Sequence, residues 1–314
     1  MRVVACLTTF HNLWLVLLAA AVCISGSWVS LELYRRSLQR RGTQRGGWIF
    51  LASIATGSAV WCTHFIAMLA YEPGAPVTFD PILTFASLVT MIVGAAGAYA
   101  LAQGSTAYRY AGGAALGMAI SAMHYTGMLA YRVDGLVTWD IAYVATSIAI
   151  AMLIGAFALA QIKKPVVALV LFVVTVVGLH FTGMTAVTIL PDPLIDVPLG
   201  AVPKHVMVFF IAAASALVLA IGISAYFADK SARGEDQARL RRLANAAIEG
   251  LIIVKDNRIV DVNTSFEELT GYSSDQIADK GLFDSILTVA GGVSPADALR
   301  SEGLLRGADG RLIP

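Results

Sequence analysis

Residues 122–131 read AMHYTGMLAY, with His124 and Met128 four apart inside an otherwise apolar stretch. Two further stretches align with it without gaps. TGSAVWCTHFIAMLAY carries His64 and Met68, and FVVTVVGLHFTGMTAV carries His180 and Met184. Each histidine is followed by an aromatic residue: Phe65, Tyr125 or Phe181. Each methionine is preceded by a small one: Ala67, Gly127 or Gly183. A fixed period of this kind is the mark of a repeated supersecondary unit.

The rest of the composition says where these units reside. The chain of 314 residues is 57% hydrophobic and 14% charged, well below the quarter charged that soluble domains carry. Charge is sparse up to about residue 228 and frequent afterwards, so an all-α polytopic membrane domain precedes a soluble segment. A membrane span needs about 20 mostly apolar residues. Seven stretches qualify, at 12–34, 48–71, 81–102, 111–131, 140–161, 166–190 and 205–228. The first is too long, and lacks the small-residue cleavage site, for a signal peptide.

Lys and Arg collect in alternate loops: Arg35, Arg36, Arg40, Arg41 and Arg45, then Arg109, then Lys163 and Lys164, then Lys230 and Arg233. The positive-inside rule then puts the N-terminus outside and the C-terminus in the cytoplasm. Asp80, Asp140 and Asp196 each lie 16 residues after their histidine, near the start of the next span. The unit is therefore two helices long, used three times, with one further span. The three Asp residues suit helix N-caps, Asp80 more so because Pro81 follows it. A hydrogen bond from an imidazole N–H to one of them is a second role open to them.

Three helices of like direction put three His–Met pairs at one depth, at the outer membrane face. Residues i and i+4 share a helix face. Converging, these helices would offer three imidazoles and three thioethers to a shared pocket. Thioether is soft and selects copper, imidazole also suits it, and no carboxylate shares the face. Copper is thus the first candidate, and haem with His or Met axial ligands the second. A lone intramembrane His would read as interhelical glue. Three at one level point to function, since polar residues in membranes tend to be functional. His11 stands near the same level as a further ligand or cap, and His205 reads as interfacial. Cys62 lies two residues before His64, hence on a different helix face, and has no counterpart in the other copies. Cys6, Cys23 and Cys62 make no disulfide framework. No basic stripe suggests nucleic acid, and no Walker loop or other catalytic constellation occurs.

MHYT at Met123–Thr126, with THFI and LHFT in the other copies, resembles the MHYT domain of bacterial membrane sensors over residues 8–228. That resemblance implies His64, Met68, His124, Met128, His180 and Met184 as ligands of copper and, through it, of O2, CO or NO. Thr63 and Leu179 replace Met123 in the other copies, so the residue before the histidine is not counted as a ligand.

Residues 229–243 read as a linker or signalling helix, its leucines Leu240 and Leu243 recurring with Ala247 at helical spacing. From residue 244 to 314, IVDVNTSFEELTGYSSDQI resembles a PAS domain, an α+β fold. A hairpin turns at Asp256–Asn257, Asn263 follows a strand, Phe266 and Leu269 sit at core positions, and Gly271–Tyr272 closes the motif. GADGRLIP resembles that fold's later turn and strand start, and the last sheet strands would lie beyond residue 314. No His or Cys follows His205, which leaves this PAS without the usual haem or flavin-adduct side chain. It reads as a relay, dimerising through linker and PAS into a homodimer. Proteins of this resemblance place GGDEF and EAL domains for cyclic di-GMP, or a histidine kinase, after the PAS. A bacterial cytoplasmic-membrane sensor is the leading expectation. A metal or small-molecule transporter and an inert membrane anchor are its rivals. Against the transporter stand span midplanes nearly free of charge, with the polar ligands confined to one end.

Overall fold

The computed structural model describes residues 11–313 apart from 75, 193–201, 247–248, 256–257, 274–275, 277–286 and 290–302. It divides into two compact units, Met1–Ala225 and Tyr226–Pro314.

The first unit is a helical bundle: α1 (Leu13–Leu38), α2 (Gly42–Ala70), α3 (Pro81–Leu101), α4 (Thr106–Ala130), α5 (Ile141–Ala160), α6 (Pro165–Thr185) and the first part of α7 (Lys204–Ala246). The exposed side chains along it include Trp14, Leu17, Ile82, Phe85, Ile141 and Phe209, an apolar exterior suited to hydrocarbon. Among the described residues, six helices are long and apolar enough to cross a membrane: α1, α2, α3, α5, α6 and residues Lys204–Ser224 of α7. The seventh expected span is α4. It has the length, at 25 residues. Its sequence, with Arg109, Gly112, Gly113, Gly117 and Ser121, falls short in apolar content because it packs along both α3 and α5.

Close backbone approach explains that composition. A Cβ on Gly113 would run into the Gly155 carbonyl oxygen of α5, and one on Gly117 into that of Ala151. Small residues four apart on both helices let the backbones meet, the usual way membrane helices gain contact without a hydrophobic driving force. Gly117→Leu is therefore expected to destabilise the bundle by at least about 1–3 kcal/mol, the cost of forced overpacking. The midpoint of denaturation in detergent checks it.

The repeat expected from the sequence is visible in the hydrogen bonds. Cap hydrogen bonds pair the helices as α1–α2, α3–α4 and α5–α6, while α4 packs on α5 as extensively as on α3. In each pair the backbone N–H of the first helix's cap donates to a carbonyl at the end of the second: Asn12 to Ala70, Asp80 to Ala130, Asp140 to Ala186, at 2.8–2.9 Å. Each cap side chain also accepts from its own helix. Asn12 takes Trp14 N–H, Asp80 takes those of Ile82 and Leu83, and Asp140 takes that of Ala142. Asp80 and Asp140 are thus the N-caps the spacing suggests, while Asp196 lies outside the described residues. Asp80 also accepts from Arg132 at 3.1 Å.

The Leu83 N–H, then the Arg132 guanidinium and the Ile82 N–H, hold the Asp80 carboxyl below the usual carboxylate range. A depressed value contributes stability above the ordinary pKa of about 4 and loses it as pH falls through the folded-state value. Protection of the Ile82 and Leu83 amides against hydrogen exchange, taken relative to the intrinsic rate at each pH, is expected to be high at pH 6 and to fall as pH drops through the folded-state value, with Asp80→Ala low throughout.

The connections after α2, α4 and α6 were expected as loops, and part of each is strand. β1 (Val77–Phe79), β2 (Tyr131–Val133) and β5 (Val202–Pro203) form a sheet in the order β2-β1-β5. β3 (Gly135–Trp139) pairs antiparallel with β4 (Val187–Pro191). Their β-branched and aromatic residues favour such pairing. Both sheets belong to connections that leave the His-bearing helix ends.

In the second unit, β6 (Ile252–Lys255) and β7 (Arg258–Val262) make the expected hairpin, Lys255 opposite Arg258, with its two turn residues outside the described ones. Asn263 caps α8 (Thr264–Thr270). Its amide is fully used: Oδ1 accepts from Leu251 and Phe266 N–H, and Nδ2 donates to the Ala244 and Glu249 carbonyls. Gly271 ends α8 at φ 74°, a left-handed cap that favours glycine. Phe266 is buried as expected, but Leu269 is not a core residue. It is 48% exposed, because α8 turns only one face, that of Phe266 and Thr270, inward. β8 (Leu287–Val289), β9 (Gly303–Arg306) and β10 (Leu312–Ile313) form a second sheet, and GADGRL supplies its β9–β10 turn.

Candidate metal centre

His64, His124 and His180 lie in the last two turns of α2, α4 and α6. The hairpin repeat sets those helices side by side in the same direction, so the three imidazoles meet. One nitrogen from each lies within 4.8 Å of the others, and all three residues are buried. His64 Nδ1 is 3.2 Å from His124 Nδ1 and 3.3 Å from His180 Nδ1. The rings meet edge to face, their centroids 4.8–5.4 Å apart.

Two glycines set these rotamers. A Cβ on Gly127 would sit 2.5 Å from Nε2 of His64, and one on Gly183 would sit 2.5 Å from Nε2 of His124. Each of these two imidazoles thus rests on the glycine of the following repeat and turns its Nδ1 inward. The small residue before each methionine has this specific task at two of its three positions. Tyr125 bonds Ser147 of the next helix, a contact the sequence reading missed. Ser87, 60 residues earlier, takes Trp61 Nε1–H instead. The equal spacing of the two serines was the signal available.

Aromatic side chains lie against the residues that follow the histidines. Phe79, just before the Asp80 cap, meets Phe65, and Trp139, just before Asp140, meets Tyr125. His11, just before the Asn12 cap, meets Phe181 and Tyr71. His11 therefore fills the lid position of the third unit. It is outside the group of nitrogens close enough to share an ion.

The methionines are placed differently from the histidines. Met68, Met128 and Met184 are buried. A cavity of about 210 Å3 adjoins the imidazoles, and none of the three lines it. Most of its walls on α2, α4 and α6 come from the turn on the other side of the histidines: Val60, Ile120 and Val176 four residues before them, and Thr63, Met123 and Leu179 one before. Met123, set aside as a ligand because it is not repeated, is the methionine in that wall. Cys62 is directed elsewhere, its Sγ 3.6 Å from the Ile211 carbonyl oxygen, and His205 is exposed.

The donor set fits a cation. A ring nitrogen carries either one proton or one lone pair. His64 Nδ1 faces two other Nδ1 atoms, so one proton or lone pair has to serve both contacts. Each Nε2 is buried without a hydrogen-bond partner, an arrangement that costs about 1–3 kcal/mol per orphaned group. An ion at the centre would use all three Nδ1 lone pairs at once. Neutral imidazole donors with no carboxylate suit copper or zinc rather than calcium or magnesium.

Comparison with known proteins agrees with this architecture. The family described as MHYT, bacterial signalling protein N terminal repeat, matches residues 57–113 and 117–172, which hold His64 and His124. A PAS domain matches residues 238–301. The chain carries MHYT repeats in a helical, membrane-type domain, followed by a PAS region. It is 36% identical over its whole length to an uncharacterized signaling protein of Caulobacter vibrioides. It is 31% identical over 57% of its length to the bifunctional diguanylate cyclase/cyclic di-GMP phosphodiesterase MucR of Pseudomonas aeruginosa. It is 25% identical over 83% of its length to the cyclic di-GMP phosphodiesterase NbdA of the same organism. It spans 40%, 28% and 34% of those three proteins. No solved structure matches the chain.

Proposed function

We propose that this chain is the sensing part of a bacterial cytoplasmic-membrane signalling protein and that it holds copper between His64, His124 and His180. The observation that carries the reading is the convergence of three buried Nδ1 atoms from three repeats on one centre. Bound there, copper would supply a redox-active centre of the kind that takes O2, CO or NO. Met68, Met128 and Met184, buried one turn further along the same helices, are the soft donors that favour Cu(I) over zinc. Haem is the weaker alternative, since the imidazoles pack directly on one another's edges.

The chain's own residues would then do three things. Gly127 and Gly183 orient two of the imidazoles. Phe79, Trp139 and His11 cover the aromatic residues beside them. The hairpins α1–α2, α3–α4 and α5–α6, tied at their caps, convert a shift of one imidazole into a shift of helices. The metal end lies at the outer membrane face and the PAS in the cytoplasm, as the Lys and Arg distribution supports. The signal would pass through α7 to a homodimeric linker and PAS. By likeness to the two Pseudomonas relatives, the output is cyclic di-GMP turnover in residues beyond this chain. Placement of the polar cluster at one end of the bundle supports sensing over transport.

Equilibrating the purified chain with Cu(I) and Zn(II) together, then counting bound metal, tests the reading. About one copper per chain and little zinc is expected from the donor softness. A preference for zinc, or no bound metal, overturns it.

A further inference from the structure

The cavity beside the imidazoles has walls without charge. Among the described residues that line it, Thr63 is the one polar side chain apart from the three histidines, and its hydroxyl is already committed to the Ala59 carbonyl at 2.8 Å. At about 210 Å3 it is larger than an engineered apolar cavity of about 150 Å3 that stays dry and binds benzene or xenon.

Its walls are closed unequally. Every lining residue from α2 and α4 is buried. The half-exposed ones, Val16 and Ala20 of α1 and Val177 and Phe181 of α6, all lie where these two helices meet. Beside them on the same helices, Leu17 is 61% and Val174 43% exposed, both apolar. The mouth therefore faces lipid rather than water.

We infer that this cavity is a ligand chamber entered sideways from the bilayer between α1 and α6, and that its ligand is a small, uncharged, apolar molecule up to about the size of benzene. A charged or strongly hydrated ligand would lose its water against walls that offer no replacement, a cost of several kcal/mol per group. The chamber delivers such a molecule to the imidazoles, so the inference deepens the proposed function and takes its site as the destination. Entry itself needs no metal.

Xenon and iodide, close in size and electron count but different in charge, separate the possibilities. The metal-free full chain in lipid nanodiscs is followed by xenon-129 NMR, and its crystals are derivatised with each probe. Xenon is expected in the chamber at occupancy at least tenfold above iodide. Ala20→Phe, which fills the mouth, is expected to reduce xenon occupancy or its exchange rate at least tenfold, and Val177→Phe serves if that variant does not fold. An empty chamber under xenon, iodide bound as well as xenon, or xenon exchange unchanged in both variants overturns the inference. A chain that binds xenon but no copper would leave the chamber standing and remove the metal reading.

Discussion

His124→Ala is expected to lower the copper retained by the purified chain from about one ion to below about a tenth of one, measured by elemental analysis after dialysis against a competing chelator. His124 Nδ1 stands 3.2 Å from its neighbour on His64, in a group of three donors. Altering a group that merely orients a metal ligand costs about 10–100-fold in affinity. Removing a donor costs more, because one of the three imidazoles that converge on the ion is then lost outright. The same truncation vacates space beside an existing cavity, so a control for folding belongs with it. Helical circular dichroism and gel-filtration position are expected to stay those of the parent. His64→Ala and His180→Ala are expected to match it. Equal copper in parent and variants would return the trio to a structural hydrogen-bonding layer.

Gly127→Ala and Gly183→Ala should reduce copper affinity about 10–100-fold, as for other groups that orient a ligand without touching the metal. The added methyl carbon would stand 2.5 Å from Nε2 of His64 or His124, so the ring must rotate or the helices must part. Either response moves an Nδ1 off the shared centre. The stability cost is expected at about 1–3 kcal/mol, in the range for overpacking. Gly178→Ala on the same helix is the control. Its added carbon would meet only Ile150 at 3.3 Å. Titration with a copper-competing dye reads all three variants. Affinity unchanged in Gly127→Ala and Gly183→Ala would detach the glycines from the imidazoles.

Much of this arrangement was readable in the residues because it is written three times. The spacing from each histidine to its Asp anticipated the caps at Asp80 and Asp140, and like helix direction anticipated that His64, His124 and His180 would meet. The methionine pattern was less informative. Sharing a helix face at i and i+4 does not decide which side of the histidine a cavity opens on, and here it opens toward Thr63, Met123 and Leu179. The small sheets were missed because strands of two to five residues, tethered by helix ends, lack a periodic run long enough to read. α4 matched a span in length, while its apolar content was given up for backbone contact with α5. In the PAS region, Phe266 and Leu269 are three apart on a helix of seven residues, too short for periodicity to tell the buried face from its edge.

X-ray absorption at the copper edge of the loaded chain bears most directly on the central claim. The account predicts the multiple-scattering signature of three imidazoles around one copper, falling to two in His64→Ala, His124→Ala or His180→Ala. Copper without imidazole scattering, or a spectrum unchanged when any one of these histidines is removed, would contradict it.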